Sequence, residues 1–126
     1  ERVTYSTALD RYNYFAIFYV KNLIRNPIGF VTHVKMTNED RIRLKRNTGA
    51  LLYLVIEDSA AYDANMLPGD LIIEFNDKTV KDGEHLLSLM DEVYPLYATK
   101  PLVRKTRVKV LRDGEILNFV LDLKDL

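Results

Sequence analysis

Apolar residues along the chain fall into short runs separated by polar turns, a pattern that favours several strands over long helices. The runs are rich in β-branched and aromatic side chains, which suit a pleated, half-buried surface. In the last of them Leu117, Phe119, Leu121 and Leu123 alternate with Asn118 and Asp122, as one buried face requires. The runs predicted as strands cover residues 29–34, 50–56, 71–75, 103–111 and 116–123.

Three segments instead show signals of helices. Thr37 precedes acidic residues that are typical of a helix start, and Ser59 is placed to cap a short helix over residues 60–66. From Gly83 to Val93 apolar residues recur at helical spacing, and Leu86, Met90 and Val93 share one face. Strands and helices without regular alternation predict an α+β barrel or sandwich of five to six short strands capped by helices.

Length and charge restrict the classes of function. The chain has 126 residues, enough for one domain with a core, and a formal net charge of zero. Zero net charge argues against a general nucleic-acid binder, whose affinity comes largely from phosphate neutralisation. The absence of cysteine excludes disulfides, thiol catalysis and cysteine-ligated metals.

Candidate catalytic side chains are few and poorly placed. The two histidines, His33 and His85, do not have metal-ligand spacing, and no serine lies in a nucleophile-elbow context. Every acidic group falls in a turn, a cap or a solvent-facing position. The sequence therefore predicts no catalytic residue, no metal, no cofactor and no enzymatic activity in this chain.

The amino-terminal segment differs from the rest. Residues 1–25 are rich in tyrosine and phenylalanine, and Tyr14 to Val20 reads either as a strand or as a buried helical turn. This run is far short of the ~20 apolar residues that a membrane span needs. We interpret the chain as a piece of a longer protein, with an extension over residues 1–25 and a domain over residues 26–126.

The centre of the chain resembles a PDZ domain of the bacterial HtrA-protease type. The resemblance rests on "GALLYLVIEDSAAYDANMLPGDLIIEFNDKTV", on the closing hairpin "VKVLRDGEILNFVLDL" and on "MTNEDRIRL". It implies a PDZ-like fold, an α+β partly open barrel of five to six strands capped by two helices. The usual Pro-Gly before the serine is Glu57-Asp58 here, the glycine that ends the short helix is Asn65, and the Asn-Gly turn is Asn76-Asp77. Asn and Asp tolerate positive φ well enough to keep the backbone path.

PDZ domains bind peptide C-termini with a loop of the form X-apolar-Gly-apolar, which Pro27-Ile28-Gly29-Phe30 resembles. Successive backbone amides in such a turn can form an anion-binding nest, and glycine permits the backbone angles. The resemblance assigns capture of the ligand carboxylate to the amides of Ile28, Gly29 and Phe30. The alternative is that Gly29 is only a β-bulge.

The resemblance also assigns the groove beside this loop. An extended peptide would add to the edge of the strand over residues 30–34, so Val31, Thr32 and His33 are predicted groove residues. The second wall would be the helix over residues 83–93, with His85 and Leu89 facing the ligand. Ile28, Phe30 and Leu89 would make an apolar pocket, so we expect ligands that end in an apolar residue. A side chain at Gly29 is expected to crowd the amides and leave the fold intact.

Three functions remain open at this point. The chain is either a non-catalytic peptide-binding module, the regulatory domain of a serine protease whose catalytic domain lies elsewhere, or an assembly domain with a closed groove. Residues 1–25 could cover the groove or pair with a second copy to form a homo-oligomer. A bacterial envelope or periplasmic location is implied by the resemblance, and no nucleic-acid or membrane partner is expected.

Overall fold

A computed structural model describes residues 28–95 and 98–125 of the chain. The described part contains six strands and three helices, which we number in chain order. The strands are β1 (Phe30–Thr32), β2 (Ala50–Val55), β3 (Leu71–Phe75), β4 (Lys78–Thr79), β5 (Lys105–Arg112) and β6 (Glu115–Asp122). The helices are α1 (Asn38–Leu44), α2 (Ala60–Asp63) and α3 (Gly83–Val93).

The strands form one antiparallel sheet in the order β1-β2-β3-β5-β6, with β4 paired to β3. β5 and β6 are paired along their whole length, from Lys105 opposite Asp122 to Arg112 opposite Glu115. The turn between them is Asp113-Gly114, with both residues at positive φ as a two-residue hairpin requires. Among the described residues, β1 and β6 lie at the two ends of this strand order. This α+β architecture confirms the predicted fold class.

The core lies between one face of the sheet and helix α3. Leu86, Met90 and Val93 of α3 are all buried, as their helical spacing predicts. Phe30 of β1 packs edge-on against Phe75 of β3, with ring centroids 6.2 Å apart. A smaller apolar cluster on the opposite face of the sheet contains Met36, Leu51, Leu71 and Ile73.

The helices begin where the sequence predicts. The Thr37 side chain accepts a hydrogen bond from the Asp40 N–H group, and Asp40 accepts one in return from the Thr37 N–H group, which is a complete capping box. The Asp82 carboxylate caps α3 by accepting from the His85 N–H group. Helix α2 ends at Asp63 rather than near residue 66, because Ala64 is its C-cap and Asn65 is left-handed at a φ of 68°.

Asn and Asp residues hold several left-handed turn positions. Asn76 and Asp77 join β3 to β4 with φ values of 53° and 68°. Their short polar side chains make this conformation cheaper than it is for other non-glycine residues. The expectation that the backbone path survives without the usual glycines is confirmed.

One buried ion pair ties the closing hairpin to the loop before β3. Asp70 has only 2% of its side chain exposed and accepts two hydrogen bonds of 2.7 Å from the Arg112 guanidinium. Arg112 also donates to the Asn65 carbonyl oxygen and lies over the Phe119 ring. Asp70 further accepts from the Leu67 N–H group. The pair thereby fixes the end of α2 against β5 and β6.

Candidate functional site

The loop before β1 is held to the domain through two successive carbonyl groups. The Ile28 carbonyl oxygen accepts a 2.9 Å hydrogen bond from the Ala61 N–H group in α2. The Gly29 carbonyl oxygen accepts a 3.1 Å hydrogen bond from the Ile56 N–H group at the end of β2. Both carbonyl groups therefore point into the domain.

The two N–H groups that follow these carbonyls point the other way. The described chain has no cis peptide bond, and in a planar trans peptide the C=O and the next N–H are opposed. The N–H groups of Gly29 and Phe30 are thus turned away from α2 and β2, and no described residue accepts a hydrogen bond from Gly29 N–H. Both residues are buried, so these donors are recessed. A buried, unpaired N–H group is costly, and an anion placed here would satisfy it.

Gly29 is a glycine for two structural reasons. Its φ of 87° lies in the left-handed region, which most side chains avoid. A Cβ atom at this position would overlap with Oγ and Cβ of Ser59. The expectation that a side chain at Gly29 would crowd the amides and spare the fold is therefore wrong, because the side chain would point inward at Ser59.

Strand β1 presents main-chain groups at the edge of the sheet beside this loop. Phe30 lies opposite Val55, and the bond from Ile56 N–H to the Gly29 carbonyl makes this a non-hydrogen-bonded pair. In such a pair the residue's own N–H and C=O groups face away from the partner strand. Thr32 is in the same situation, since the next residue, His33, donates to the Leu51 carbonyl oxygen. Phe30 and Thr32 thus face the edge that no described strand occupies.

Helix α3 starts in direct contact with the end of β1. The Gly83 N–H group donates a 3.0 Å hydrogen bond to the Val34 carbonyl oxygen. A Cβ atom at Gly83 would overlap with the His33 carbonyl oxygen and lie 3.0 Å from Thr32 Oγ1. Adjacent strands lie about 4.8 Å apart, so no strand fits between β1 and α3 at this point. The cleft between the two elements therefore extends only from Thr32 back towards Gly29.

The contact at Gly83 also shows which flank of α3 lies beside β1. Leu87 follows Gly83 by four residues and so shares its flank, and its side chain is 43% exposed. His85 lies on another flank: its Nδ1 atom accepts a hydrogen bond from Lys81 N–H. Glu92, seven residues after His85, forms an ion pair with Lys78 on β4. The structure thus brings Gly83 and Leu87 towards β1 and turns His85 towards residues 78–81.

The remaining predicted groove residues divide into buried and exposed ones. Ile28, Phe30 and Leu89 belong to the main apolar core and are at most 5% exposed. Val31 is also buried, in a second cluster with Leu54 and Ile56. The exposed His33 ring packs edge-on against Tyr53 at 4.9 Å.

Sequence reasoning missed two residues of this site. It assigned Ser59 only to helix capping and passed over its contact with Gly29. It also passed over Leu87, although counting from the Asp82 cap would have made Gly83 the first helical residue and Leu87 its neighbour one turn later. Both residues are recognised only once the loop, β1 and α3 are placed together.

Within the ranges 28–95 and 98–125, no cluster of three or more His, Asp or Glu side chains could hold a metal ion. In the same ranges no helix has the length and apolarity that crossing a bilayer demands. The described cleft presents main-chain hydrogen-bonding groups of β1 beside the exposed apolar side chain of Leu87.

Comparisons with known proteins identify the family of this chain. The PDZ domain profile matches residues 31–123. A probable periplasmic serine endoprotease, DegP-like, of Rickettsia prowazekii (strain Madrid E) is 30% identical over 97 residues, which is 75% of this chain and 17% of that protein. A probable Do-like serine protease of Buchnera aphidicola subsp. Acyrthosiphon pisum is 30% identical over 83 residues, covering 66% of this chain and 16% of the relative. The chain thus spans about a sixth of these relatives.

Solved structures share the fold. The HtrA-type protease AlgW with a decapeptide superimposes with a TM-score of 0.61 at 23% identity, over 81% of this chain and 30% of that one. The HtrA3 PDZ domain bound to the phage-derived ligand FGRWV has a TM-score of 0.59 at 17% identity, over 79% of this chain and 85% of that one. With the family profile and the DegP-like relatives, this confirms the predicted resemblance: the chain belongs to the PDZ domain family, and is of the bacterial HtrA type.

Proposed function

We propose that this domain is a non-catalytic module that captures the C-terminal end of an extended peptide. The observation that carries the proposal is the pair of anchored carbonyl groups at Ile28 and Gly29, which turns two successive N–H groups into the cleft. A ligand carboxylate would accept hydrogen bonds from the N–H groups of Gly29 and Phe30, and hydrogen bonds to an ionised acceptor are about twice as strong as neutral ones. The amide of Ile28 is the third donor that the family resemblance assigns.

The ligand would extend from this carboxylate along β1 as an added strand. The edge-facing groups of Phe30 and Thr32 would supply main-chain hydrogen bonds that do not depend on ligand sequence. The side chains of Ile28, Phe30 and Leu89 line the core beneath the loop, and Leu87 stands exposed on the flank of α3 towards β1. These apolar surroundings support a preference for ligands that end in an apolar residue such as Val, Leu, Ile, Ala or Phe.

The contact between Gly83 and the end of β1 sets the length of the site. Because α3 touches the chain directly after β1, at His33 and Val34, only the strand edge from Phe30 to Thr32 is available for pairing. We therefore expect the last three residues of a ligand to supply most of the affinity. His85 as a contact for a ligand hydroxyl stays a prediction that this geometry does not favour, since its ring is directed to Lys81.

The direct test compares a peptide acid with its amide. A suitable probe is the pentapeptide Phe-Gly-Arg-Trp-Val, which the HtrA3 domain binds, labelled at its amino end. Fluorescence anisotropy with the free acid and with the carboxamide isolates the carboxylate. We expect the amide to bind about ten- to a hundredfold more weakly, because about 1.5–3 kcal/mol of charge-assisted hydrogen bonding is lost. Equal binding of acid and amide would refute carboxylate capture.

The DegP-like relatives favour one particular setting for this module. Since they are named as serine proteases and this chain matches about a sixth of their length, the domain is proposed to serve as the regulatory part of such a protease in the bacterial envelope or periplasm. If no peptide binds to the domain, the alternative of an assembly role with a closed groove would be favoured. The proposed contact through residues 1–25 lies outside the described residues.

A further inference from the structure

We infer that Ser59 is a positioning residue that holds the Gly29 N–H group open for the ligand carboxylate. The inference rests on the proposed function and concerns how the main-chain N–H donors of the loop before β1 are kept available for the ligand. Ser59 itself would not contact the ligand. It acts by occupying the hydrogen-bonding position that Gly29 would otherwise take.

The pairing of the loop with the end of β2 defines that position. In a regular antiparallel ladder, residues 29 and 56 would exchange two hydrogen bonds, one in each direction. Only one is present, from Ile56 N–H to the Gly29 carbonyl oxygen, at 3.1 Å. The reciprocal bond, from Gly29 N–H to the Ile56 carbonyl oxygen, is missing from this pair.

The Ser59 hydroxyl fills the gap. Its Oγ atom donates a hydrogen bond of 2.6 Å to the Ile56 carbonyl oxygen, the acceptor that Gly29 would have used. Ser59 Oγ also accepts a hydrogen bond from Tyr62 N–H and so caps α2. The hydroxyl is therefore held by one bond that it donates and one that it accepts. Ser59 is only 5% exposed, so water does not replace it readily.

Packing reinforces this exchange of donors. The space where a Cβ of Gly29 would lie is filled by Ser59, and the loop passes this point with a φ of 87°. At that φ the Gly29 N–H turns from β2 towards the cleft. The hydroxyl thus satisfies the carbonyl, fills the space and leaves the N–H to the ligand.

The test separates positioning from capping. In Ser59→Ala both hydrogen bonds of the hydroxyl are lost and the Ile56 carbonyl oxygen loses its donor. Gly29 N–H can then turn back to this oxygen, at the cost of the bond from Ala61 N–H to the Ile28 carbonyl oxygen. We expect the preference for the free-acid over the amide form of Phe-Gly-Arg-Trp-Val to fall from about ten- to a hundredfold to roughly threefold or less. Ser59→Thr, which keeps the hydroxyl, should retain the preference. Thr37→Ala, which removes the cap of α1, is the matched control and should leave the preference unchanged.

A second measurement does not depend on any ligand. Amide hydrogen exchange of Gly29 can be followed by NMR on the 126-residue chain. After correction for any difference in unfolding free energy, the Gly29 amide should exchange more slowly in Ser59→Ala than in the wild type, because it gains an acceptor. An unchanged Gly29 exchange rate and an unchanged acid-to-amide ratio in Ser59→Ala would overturn the inference. If no peptide binds the wild type but Gly29 exchange responds as expected, the proposed function fails while the role of Ser59 in the loop stands.

Discussion

At the scale of single residues, Gly29 and Ser59 work as one unit. Gly29 has no side chain and a left-handed φ, and Ser59 occupies the space that a side chain at Gly29 would need. Neither residue is informative alone: a glycine before a strand is also read as a bulge, and a serine before a helix as a cap. Their contact couples the loop before β1 to the start of α2.

This coupling predicts a non-additive pair of substitutions. Gly29→Ala should lower the free energy of unfolding by about 2–4 kcal/mol, because it combines overlap with Ser59 and an unfavourable φ. Adding Ser59→Gly should recover at least ~1 kcal/mol, since glycine removes the overlap and is a tolerable helix cap. Urea denaturation of both single variants and the double variant measures the coupling. Strictly additive losses would show that the two side chains do not compete for space.

Thr106 offers a stabilising substitution. It is 1% exposed on β5, and its hydroxyl has no hydrogen-bond partner in the described part of the chain. Thr106→Val replaces this hydroxyl with a methyl group of similar shape, and should raise the free energy of unfolding by about 1 kcal/mol. Thr79→Val, at an exposed position on β4, is the control and should change stability little. A loss of stability in Thr106→Val would mean that the hydroxyl has a partner in solution.

At the scale of elements, helix α3 has one buried face and two flanks with different neighbours. The flank with Gly83 and Leu87 lies towards β1, and the flank with His85 and Glu92 lies towards residues 78–81. Under the proposed function only the first flank borders the ligand. The same helix therefore separates a binding surface from a structural one.

A pair of substitutions distinguishes the two flanks. Leu87→Glu should weaken binding of the labelled Phe-Gly-Arg-Trp-Val acid at least about fivefold, since it removes apolar contact and adds a charge of the same sign as the ligand carboxylate. Because Leu87 is exposed, the melting temperature should change little. His85→Gln, on the other flank, should leave affinity within about twofold. The reverse ranking would restore His85 as the groove residue.

The closing hairpin depends on a second element-level contact, the ion pair of Asp70 with Arg112. Arg112→Gln leaves a carboxylate that is 2% exposed without its counter-charge, and should cost about 3–5 kcal/mol of unfolding free energy. Asp70→Asn combined with Arg112→Gln should cost less than Arg112→Gln alone, because no unpaired charge is buried. Thermal denaturation of the three proteins checks the order. Equal losses in the single and double variants would indicate that charge burial is not the cause.

At the scale of the whole molecule, three exposed ion pairs predict how stability depends on pH. Hydrogen bonds from Arg43, Arg107 and Arg104 hold the pKa values of Asp40, Asp77 and Asp122, respectively, below the ordinary 3.8. Groups whose pKa is lowered by folding stabilise the fold above their unfolded pKa, and this contribution is lost as pH falls through the folded pKa.

We therefore expect the melting temperature to be level above about pH 5 and to fall as pH drops below about 4, modestly because the pairs are exposed. Replacing Arg43, Arg104 and Arg107 with glutamine should flatten this acid limb. Differential scanning calorimetry from pH 3 to 7 measures the effect. If the melting temperature of the triple variant falls by as much at low pH as that of the wild type, other carboxyl groups cause the fall.

Much of this fold could be predicted from local signals. The helix caps Thr37 and Ser59 and the buried face of α3 follow from residue type and spacing, as does the hairpin turn at Asp113-Gly114. The flanks of α3 could not be predicted, because helical periodicity marks the buried side but not which neighbour each flank meets. The second role of Ser59 also depends on the loop and β2 being adjacent in space, and no pattern along the chain carries that information.

The tie between Gly83 and Val34 has a consequence for the choice of partners in a cell. Under the proposed function, α3 closes the strand edge beyond Thr32, so a ligand must bend away from β1 after its last three residues, which only a protruding tail can do. Folded proteins whose last residues are tucked against their own surface would escape, whereas frayed or freshly cleaved chain ends would be caught. The domain would then discriminate between ligands first by whether their C-terminal end is accessible and only then by the sequence of that end.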